Sequence, residues 1–417
     1  MIGAALAAAL LLGAGPPAAL ERVTFDEAVR RALAKNPNAV VAAEEVRRAE
    51  GLLGEARSGS LPFLGVTGTL TWLDHDRVSQ GRVVAAGSQA NATGLLSVPL
   101  VAPSRWAQWA HASQGLDATA AGEADVRRGV AVTAARAYLT VIAQRRAVEV
   151  SLSARDNARA HYDYARARRK GGVGNALDEL RAEQELAASE VQLEAAQIGL
   201  ARGREALGQL AGADAPLDAA EEPALPELPG QAEAMAVAES SRADVKAAQA
   251  RAHVAERVWK DSWTDWLPTL FGTFQPFVQD PPTLTVPAQG WQAQLILAFP
   301  LFEGGLRPAQ SKQRQAVSNE SQAQLDGIVR QARSDVRTAY EALERSRSAL
   351  QSARRGAESA RSALGLANEA YRAGAVDNLA VTDAEQRGRV ADLSAVIAED
   401  AVRQSVLDLL AAAGRFP

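Results

Sequence analysis

A glycine-led turn that occurs twice constrains this chain more than any other feature. The first copy reads Gly172-Val-Gly-Asn-Ala-Leu-Asp-Glu-Leu-Arg-Ala-Glu-Gln184 and the second Gly374-Ala-Val-Asp-Asn-Leu-Ala-Val-Thr-Asp-Ala-Glu-Gln386. At one constant offset, Gly172/Gly374, Leu177/Leu379, Ala182/Ala384, Glu183/Glu385 and Gln184/Gln386 are identical. Each copy follows a long helix-forming stretch and opens another. Glycine at the end of a helix takes the left-handed conformation that stops it. Asn175 or Asp377 then caps the next helix by accepting from its free N–H groups. Each turn is thus the tip of a long helical hairpin, and two hairpins in one chain imply a tandem duplication.

The arms of these hairpins carry coiled-coil periodicity. From about Ser104 to Lys170 there is no proline, and at 1.5 Å per residue such a helix measures about 100 Å. After the first tip, Leu186, Leu193, Leu200 and Leu207 recur every seventh residue, one seam of a coiled coil. Between about Leu306 and Arg372 the spacing is four-three: Leu325, Val329, Ala332, Val336, Ala339, Leu343, Ser346, Leu350, Ala353, Ala357, Ala360, Leu364, Ala367. That period implies a left-handed supercoil against a neighbour. The last helix spans about Asn378 to Ala413. Apolar residues are 47% of the chain but aromatics only 5%, because alanine supplies much of the total. Alanine favours helix and lets backbones approach closely.

Four stretches change the period from helix to strand. From Phe63 to Trp72, Leu64, Val66, Gly68, Leu70 and Trp72 alternate with Phe63, Gly65, Thr67, Thr69 and Thr71, giving one apolar and one mostly hydroxyl-bearing face. A second strand covers roughly Gln89–Leu100. The polar, glycine-containing run from Asp74 to Gly87 between them reads as a loop rather than a tight turn. Strand three is expected over 269–278, weakened by Pro276, and strand four over 290–300, where Trp291, Ala293, Leu295, Leu297 and Phe299 alternate with Gln292, Gln294, Ile296 and Ala298. Leu267-Pro echoes Leu61-Pro, and Phe299-Pro-Leu echoes Val98-Pro-Leu. The expected organisation is a signal peptide over 1–20, a first repeat over 21–212, a connector over 213–230 and a second repeat over 231–417. Near the start, Thr24 and Glu27 form a capping box, and Asn36-Pro37 separates that helix from the next.

The N-terminal run Ile2–Leu12 fits the apolar core of a signal peptide. The breakers Gly13, Gly15, Pro16 and Pro17 argue against a transmembrane helix, which needs about 20 uninterrupted apolar residues. No basic residue precedes the run and no clean A-x-A cleavage site follows it, so the true signal starts earlier or the run is a hydrophobic tail. The absence of cysteine excludes disulfides and thiolate metal sites. The net charge of −4 gives no sign of nucleic-acid binding.

Ten-residue strands with one apolar and one polar face have the length and pattern of tilted membrane strands. Four strands cannot close a barrel around a polar lumen, and an open edge in lipid is forbidden. The chain is therefore expected to oligomerise, three copies giving twelve strands. Leu64, Val66, Leu70, Trp72, Leu295 and Leu297 are the expected lipid-facing set. Trp259, Trp263 and Trp266 fall where an interfacial aromatic belt would. The opposing reading is a soluble helical protein with two small hairpins and a tryptophan core.

Taken in order, Thr24-Phe-Asp-Glu-Ala-Val, Asn36-Pro37, the Leu-Pro strand starts, Val-Pro-Leu, Phe-Pro-Leu-Phe-Glu-Gly-Gly305 and the Gly…Ala-Glu-Gln tips make the sequence resemble the TolC-like outer-membrane efflux protein family. The resemblance covers nearly the full length. It implies a mostly α fold with a small membrane β-barrel: long coiled-coil hairpins plus four strands per chain, assembled as a homotrimer with a helical tunnel. It implies a place in the outer membrane of a Gram-negative bacterium, extending into the periplasm. The implied role is the exit duct of a tripartite efflux pump or type I secretion system. Its partners would be outer-membrane lipid, a periplasmic adaptor (membrane fusion) protein and an inner-membrane pump. The family's gate carries over in part. Its two tip aspartates lie six and nine residues after the second glycine, and here they are Ala380 and Asp383. Tyr371 matches an aromatic that in the family links to an aspartate like Asp178. The family's gate arginine is Val376 here.

Other readings compete at each position. Asp178 and Asp383 are also favourable helix-start carboxylates. Arg168, Arg169 and Lys170, with Gly172 and Gly374, suit adaptor docking at the tips or a plain solvated face. The four histidines lie far apart, Asp74-His75-Asp76 reads as a solvated loop, and Gly171-Gly-Val-Gly lacks the Lys-Ser/Thr of a phosphate loop. The sequence therefore predicts no catalytic residue, cofactor or metal site. The remaining alternative function is a periplasmic or surface coiled-coil scaffold without a pore.

Overall fold

The computed structural model describes residues 20–416 except 225, 227, 229, 284 and 285. The expected signal peptide thus lies outside the described residues. Among the described residues, eight helices and eight strands occur in the order β1 (Glu21–Val23), α1 (Phe25–Lys35), α2 (Pro37–Ser58), β2 (Phe63–Trp72), β3 (Arg77–Ser79), β4 (Arg82–Ala85), β5 (Ser88–Val101), α3 (Pro103–Lys170) and α4 (Ala176–Leu210). There follow β6 (Leu217–Ala219), α5 (Gln231–Ser241), α6 (Ala243–Lys260), a 3-10 segment (Asp261–Trp266), β7 (Thr269–Asp280), β8 (Gln289–Ala298), α7 (Leu306–Arg372) and α8 (Asn378–Ala412). The chain divides into two compact units, one built from residues 1–42, 124–243 and 330–417, the other from 43–123 and 244–329. Both sequence halves contribute to each unit.

The first unit is helical apart from one two-stranded sheet. The leucine seam expected on α4 is buried: Leu186, Leu193, Leu200 and Leu207 all lie in its interior. Along α7 every position of the four-three series is buried or half-buried. The capping box at Thr24 forms, its hydroxyl accepting from the Glu27 N–H at 3.3 Å. Phe25 packs edge-on against Tyr138, ring centroids 5.5 Å apart. The Tyr138 hydroxyl in turn donates to the Glu221 carbonyl at 2.7 Å, so this large ring is buried with its polar end satisfied.

Two expectations need correction here. The strands number eight among the described residues, not four. In the stretch read as an irregular connector, β6 pairs in parallel with β1, Val23 opposite Ala219. Three-residue strands carry too little alternation to show a period. This short sheet is held by Asp218, 2% exposed, which accepts from Arg145 at 2.8 Å and from Arg204 at 3.1 Å. The run read as a loop likewise contains a tight hairpin, β3 against β4, closed by Gln80 and Gly81, both at positive φ. A two-residue turn with positive φ at both positions matches strand twist, and Gln-Gly is a less obvious signal for it than Asn-Gly.

The second unit holds a four-stranded antiparallel sheet in the order β2-β5-β7-β8. Around it, His111 and Arg257 both contact Asp261, at 3.0 and 2.9 Å, and Arg314 contacts Asp265 at 2.7 Å.

Burial opposes ionisation of Asp218, but its hydrogen bonds and charge interactions with Arg204 and Arg145 outweigh that, and its pKa lies below the ordinary aspartate value. The stabilisation is present above the ordinary value and is lost as pH falls through the lowered one. Asp218→Ala removes the carboxylate from the half-buried Arg145 and Arg204 side chains and should destabilise the protein by about 1.5–3 kcal/mol, the range for a hydrogen bond to a charged group, read from unfolding in detergent at neutral pH. The difference from the parent should shrink on acidification.

Candidate membrane sheet and helix-tip gate

Cross-strand register turns four separate alternations into two continuous faces. Leu64 pairs with Leu96, Val66 with Gly94 and Leu70 with Ala90. Leu96 pairs in turn with Phe274, Ala92 with Val278, and Gly272 with Leu295, Leu270 with Leu297. Directly opposed residues in an antiparallel pair share a face. One face therefore carries Leu64, Val66, Leu70, Trp72, Leu96, Phe274, Trp291, Leu295 and Leu297. The other carries Thr67, Thr69, Asn91, Thr93, Ser97, Thr273, Gln275, Gln292 and Gln294. The apolar face is open: Leu64 is 75% exposed, Val66 79% and Leu295 74%. All six residues expected to face lipid fall on it.

Pro276 does not move β7 to an edge. It sits between β5 and β8, opposite Trp291 on one side. On the other, regular pairing with β5 is interrupted between Thr93↔Phe277 and Leu96↔Phe274. The residue facing Pro276 in that gap is Gly94, where a Cβ would lie 3.1 Å from the proline Cγ. Glycine thus makes room for a ring that the ladder cannot bond.

Of the expected aromatic belt, Trp263 and Trp266 lie in the 3-10 segment before β7 and are exposed, while Trp259 ends α6 half-buried. The Arg307 guanidinium lies over the Trp266 ring, 5.3 Å from its centroid. Sequence reasoning passed over Trp106 and Trp109, which are exposed just after β5 at the start of α3. The signal was available: they follow the second strand as Phe299 and Phe302, also exposed, follow the fourth.

The two tips are built alike. At the first, Gly172 has φ +78°, its N–H bonds the Arg169 carbonyl at 3.0 Å and the Val173 N–H bonds the Arg168 carbonyl at 3.1 Å. At the second, Gly374 has φ +76°, its N–H bonds the Tyr371 carbonyl at 3.1 Å and the Ala375 N–H bonds the Ala370 carbonyl at 2.8 Å. These are paired Schellman stops. The caps follow as expected, Asn175 accepting from the Leu177 N–H at 3.0 Å and Asp377 from the Ala380 N–H at 3.2 Å.

The expected gate residues occupy distinct settings. Tyr371 is buried, edge-on to Tyr164 and to His161 with both centroids 5.8 Å away. The Arg168 guanidinium lies 5.1 Å from its ring centroid. Burial and then the charge of Asp178 push the Tyr371 hydroxyl above its ordinary pKa, while its hydrogen bond is with Arg168. Asp178 sits half-buried in the first turn of α4. Asp383 is exposed and paired with Arg387 one turn on, at 3.0 Å. Among the basic residues considered for docking, Arg168 turns inward onto Tyr371, Arg169 pairs with Glu179 at 2.6 Å, and Lys170 is exposed.

Behind Tyr371 lies a buried polar cluster that sequence reasoning missed. His161 on α3 is 3.0 Å from Glu385 Oε2 and 2.6 Å from Asn378 Oδ1, both on α8. The Asn378 amide donates to the Asp178 carbonyl at 3.0 Å. Glu385 was visible as part of the repeated Ala-Glu-Gln, but nothing in the sequence joins it to a histidine in the other repeat.

Comparison with known proteins places the chain in one family. The model of the outer membrane efflux protein family matches twice, over residues 28–213 and 234–415. The chain belongs to that family. Among solved structures, a membrane protein from Pseudomonas aeruginosa matches with TM-score 0.82 at 18% identity, covering 95% of this chain and 91% of that one. The Campylobacter jejuni CmeC outer membrane channel matches with TM-score 0.82 at 17% identity over 94% and 86% of the two chains. The Vibrio cholerae outer membrane protein VceC matches with TM-score 0.79 at 19% identity over 94% and 96%. No curated protein sequence matches. As an outer membrane efflux protein the chain is an exit duct in the outer membrane, not an enzyme, and the pore-free scaffold reading falls.

Arginine placed at Leu64, Leu70, Leu295 or Leu297 should cost about 2–4 kcal/mol near the membrane midplane. At Thr67, Thr69, Gln292 or Gln294 it should be tolerated. Membrane-assembly yield separates the two sets, and equal damage from both would contradict the assignment of faces.

Proposed function

We propose that three copies of the chain close one duct, the four-stranded sheets joining into a twelve-stranded barrel and the helical hairpins continuing it into the periplasm. The observation that carries this reading is a sheet with an exposed apolar face and two unpaired edges, β2 and β8. Such edges persist in lipid only if β8 of one copy pairs with β2 of the next. No described helix is long and apolar enough to cross a membrane, so the sheet is the part suited to lipid. Exposed apolar residues on α4 (Leu180, Val191, Ile198) and α8 (Leu379, Val390, Ile397) supply seams for neighbouring copies.

In this reading the hairpin tips form the periplasmic gate, with Asp383, Asp178 and Tyr371 as its residues. Asp383 of three copies makes one acidic ring. Its charge is tempered by Arg387, so cation preference is modest and fades as salt screens it. Tyr371, in the electrostatic reach of Asp178 and under Arg168, holds the tip closed. Lys170 and the exposed Val173, Leu177 and Leu379 around Gly172 and Gly374 offer a mixed surface for a periplasmic adaptor, through which an inner-membrane pump would deliver cargo.

The protein should leave membranes as a trimer in mild detergent, and light scattering that found a folded monomer would contradict the assembly. In planar bilayers Tyr371→Phe should raise single-channel conductance, the lost bond being worth about 1.5–3 kcal/mol because its partner is charged. Asp383→Ala should lower cation preference at low salt, and Arg387→Ala should raise it. Unchanged conductance and selectivity in all three variants would remove the gate assignment.

A further inference from the structure

The buried histidine of the tip has a protonation state fixed by its surroundings. Its Nδ1 faces a carboxylate oxygen of Glu385 and its Nε2 faces the Asn378 Oδ1. The orientation of that amide is set from its other side, where Nδ2 donates to the Asp178 carbonyl. Reversing the amide would bring its oxygen against the carbonyl oxygen, so the amide offers His161 an acceptor. An ionised carboxylate and an amide oxygen accept and do not donate. Both ring nitrogens must therefore donate, and only the imidazolium form does so.

We propose that His161 is a proton-operated clasp that ties the second hairpin tip to the first and releases it when the ring loses its second proton. One imidazolium joins α3 to α8, and through Asn378 it reaches the first turn of α4. With one proton gone, a ring nitrogen with a lone pair faces an oxygen with a lone pair at 2.6 or 3.0 Å, and the contact turns repulsive. The clasp thus regulates the same aperture, and the inference rests on the reading of the tips as a gate.

The charged and titratable groups around the ring support this assignment. From α3 come Tyr164 and Arg168, from α4 Asp178 and Glu185, from α7 Tyr371, and from α8 Glu385 and Arg389. Arg389 is ion-paired with Glu185 and Arg168 is engaged on Tyr371, which leaves Glu385 as the acid in direct contact with the ring. A cavity of about 380 Å³ is lined in part by Glu149, Asn157, Glu185, Glu385 and Asp392. Burial works against the charged ring, but the bond to Glu385, its charge and the bond to Asn378 outweigh it, and the pKa stands above the ordinary histidine value. The clasp is then fully made below the ordinary value of about 6.5 and is lost as pH rises through the raised one.

Two measurements on the full-length protein test the clasp and the gate separately. Hydrogen exchange over the tips, corrected for intrinsic rates, should show protection that falls in one step as pH rises above the ordinary histidine value of about 6.5. His161→Phe should show no step. Glu385→Gln keeps an oxygen acceptor but removes the charge, and should move the step down by about one to three pH units. It also serves if the Phe variant fails to fold. Single-channel conductance should rise over the same pH interval, with the same displacement in Glu385→Gln. A wild-type protection profile without a step, or an undisplaced step in Glu385→Gln, overturns the clasp. A displaced protection step with pH-independent conductance upholds the clasp and overturns the gate reading of the tips.

Discussion

A strand in lipid can satisfy its N–H and C=O groups only against another strand, and this requirement governs the arrangement of the chain. The four-stranded sheet ends in β2 on one side and β8 on the other, so one chain leaves two rows of backbone groups that copies of itself would match in the proposed trimer. The same sheet carries its apolar residues on one face and its hydroxyls and amides on the other. A closed arrangement with the apolar face outward meets lipid and water each with the appropriate surface. The proposed assembly thus rests on the sheet as much as on the helices.

Within the sheet, the cost of an interior proline is absorbed locally. Pro276 has no N–H to give, and a strand crossing it would normally be confined to an edge. Here the pairing lapses for one gap, and Gly94 opposite leaves room for the ring. The proline keeps its place on the apolar face next to Trp291 without displacing β7.

At each hairpin tip, stopping a long helix and starting its partner within a few residues leaves many backbone groups to satisfy. Both tips use the same solution, a left-handed glycine, two closing carbonyl bonds and a side-chain cap. The duplicated tips have nonetheless diverged in what they contribute. The second supplies Asn378 and Glu385, and the arm leading into the first supplies His161. The polar cluster therefore exists only where the two halves of the duplication meet.

Much of this was legible from the sequence because it rests on short-range periodicity. Seven-residue leucine spacing marks a helical seam, two-residue alternation marks a strand with two faces, and Gly172 and Gly374 mark the stops. Each is a property of a few consecutive residues. Short elements escaped for the same reason: β1 and β6 are too brief to show a period, and the Gln80-Gly81 hairpin lies in a polar run. Long-range pairing decided the rest. His161 lies more than two hundred residues of chain from Asn378 and Glu385 and becomes their partner only when α3 packs beside α8. That juxtaposition, together with the strand register that places Gly94 against Pro276, is a consequence of tertiary packing, which no local pattern encodes.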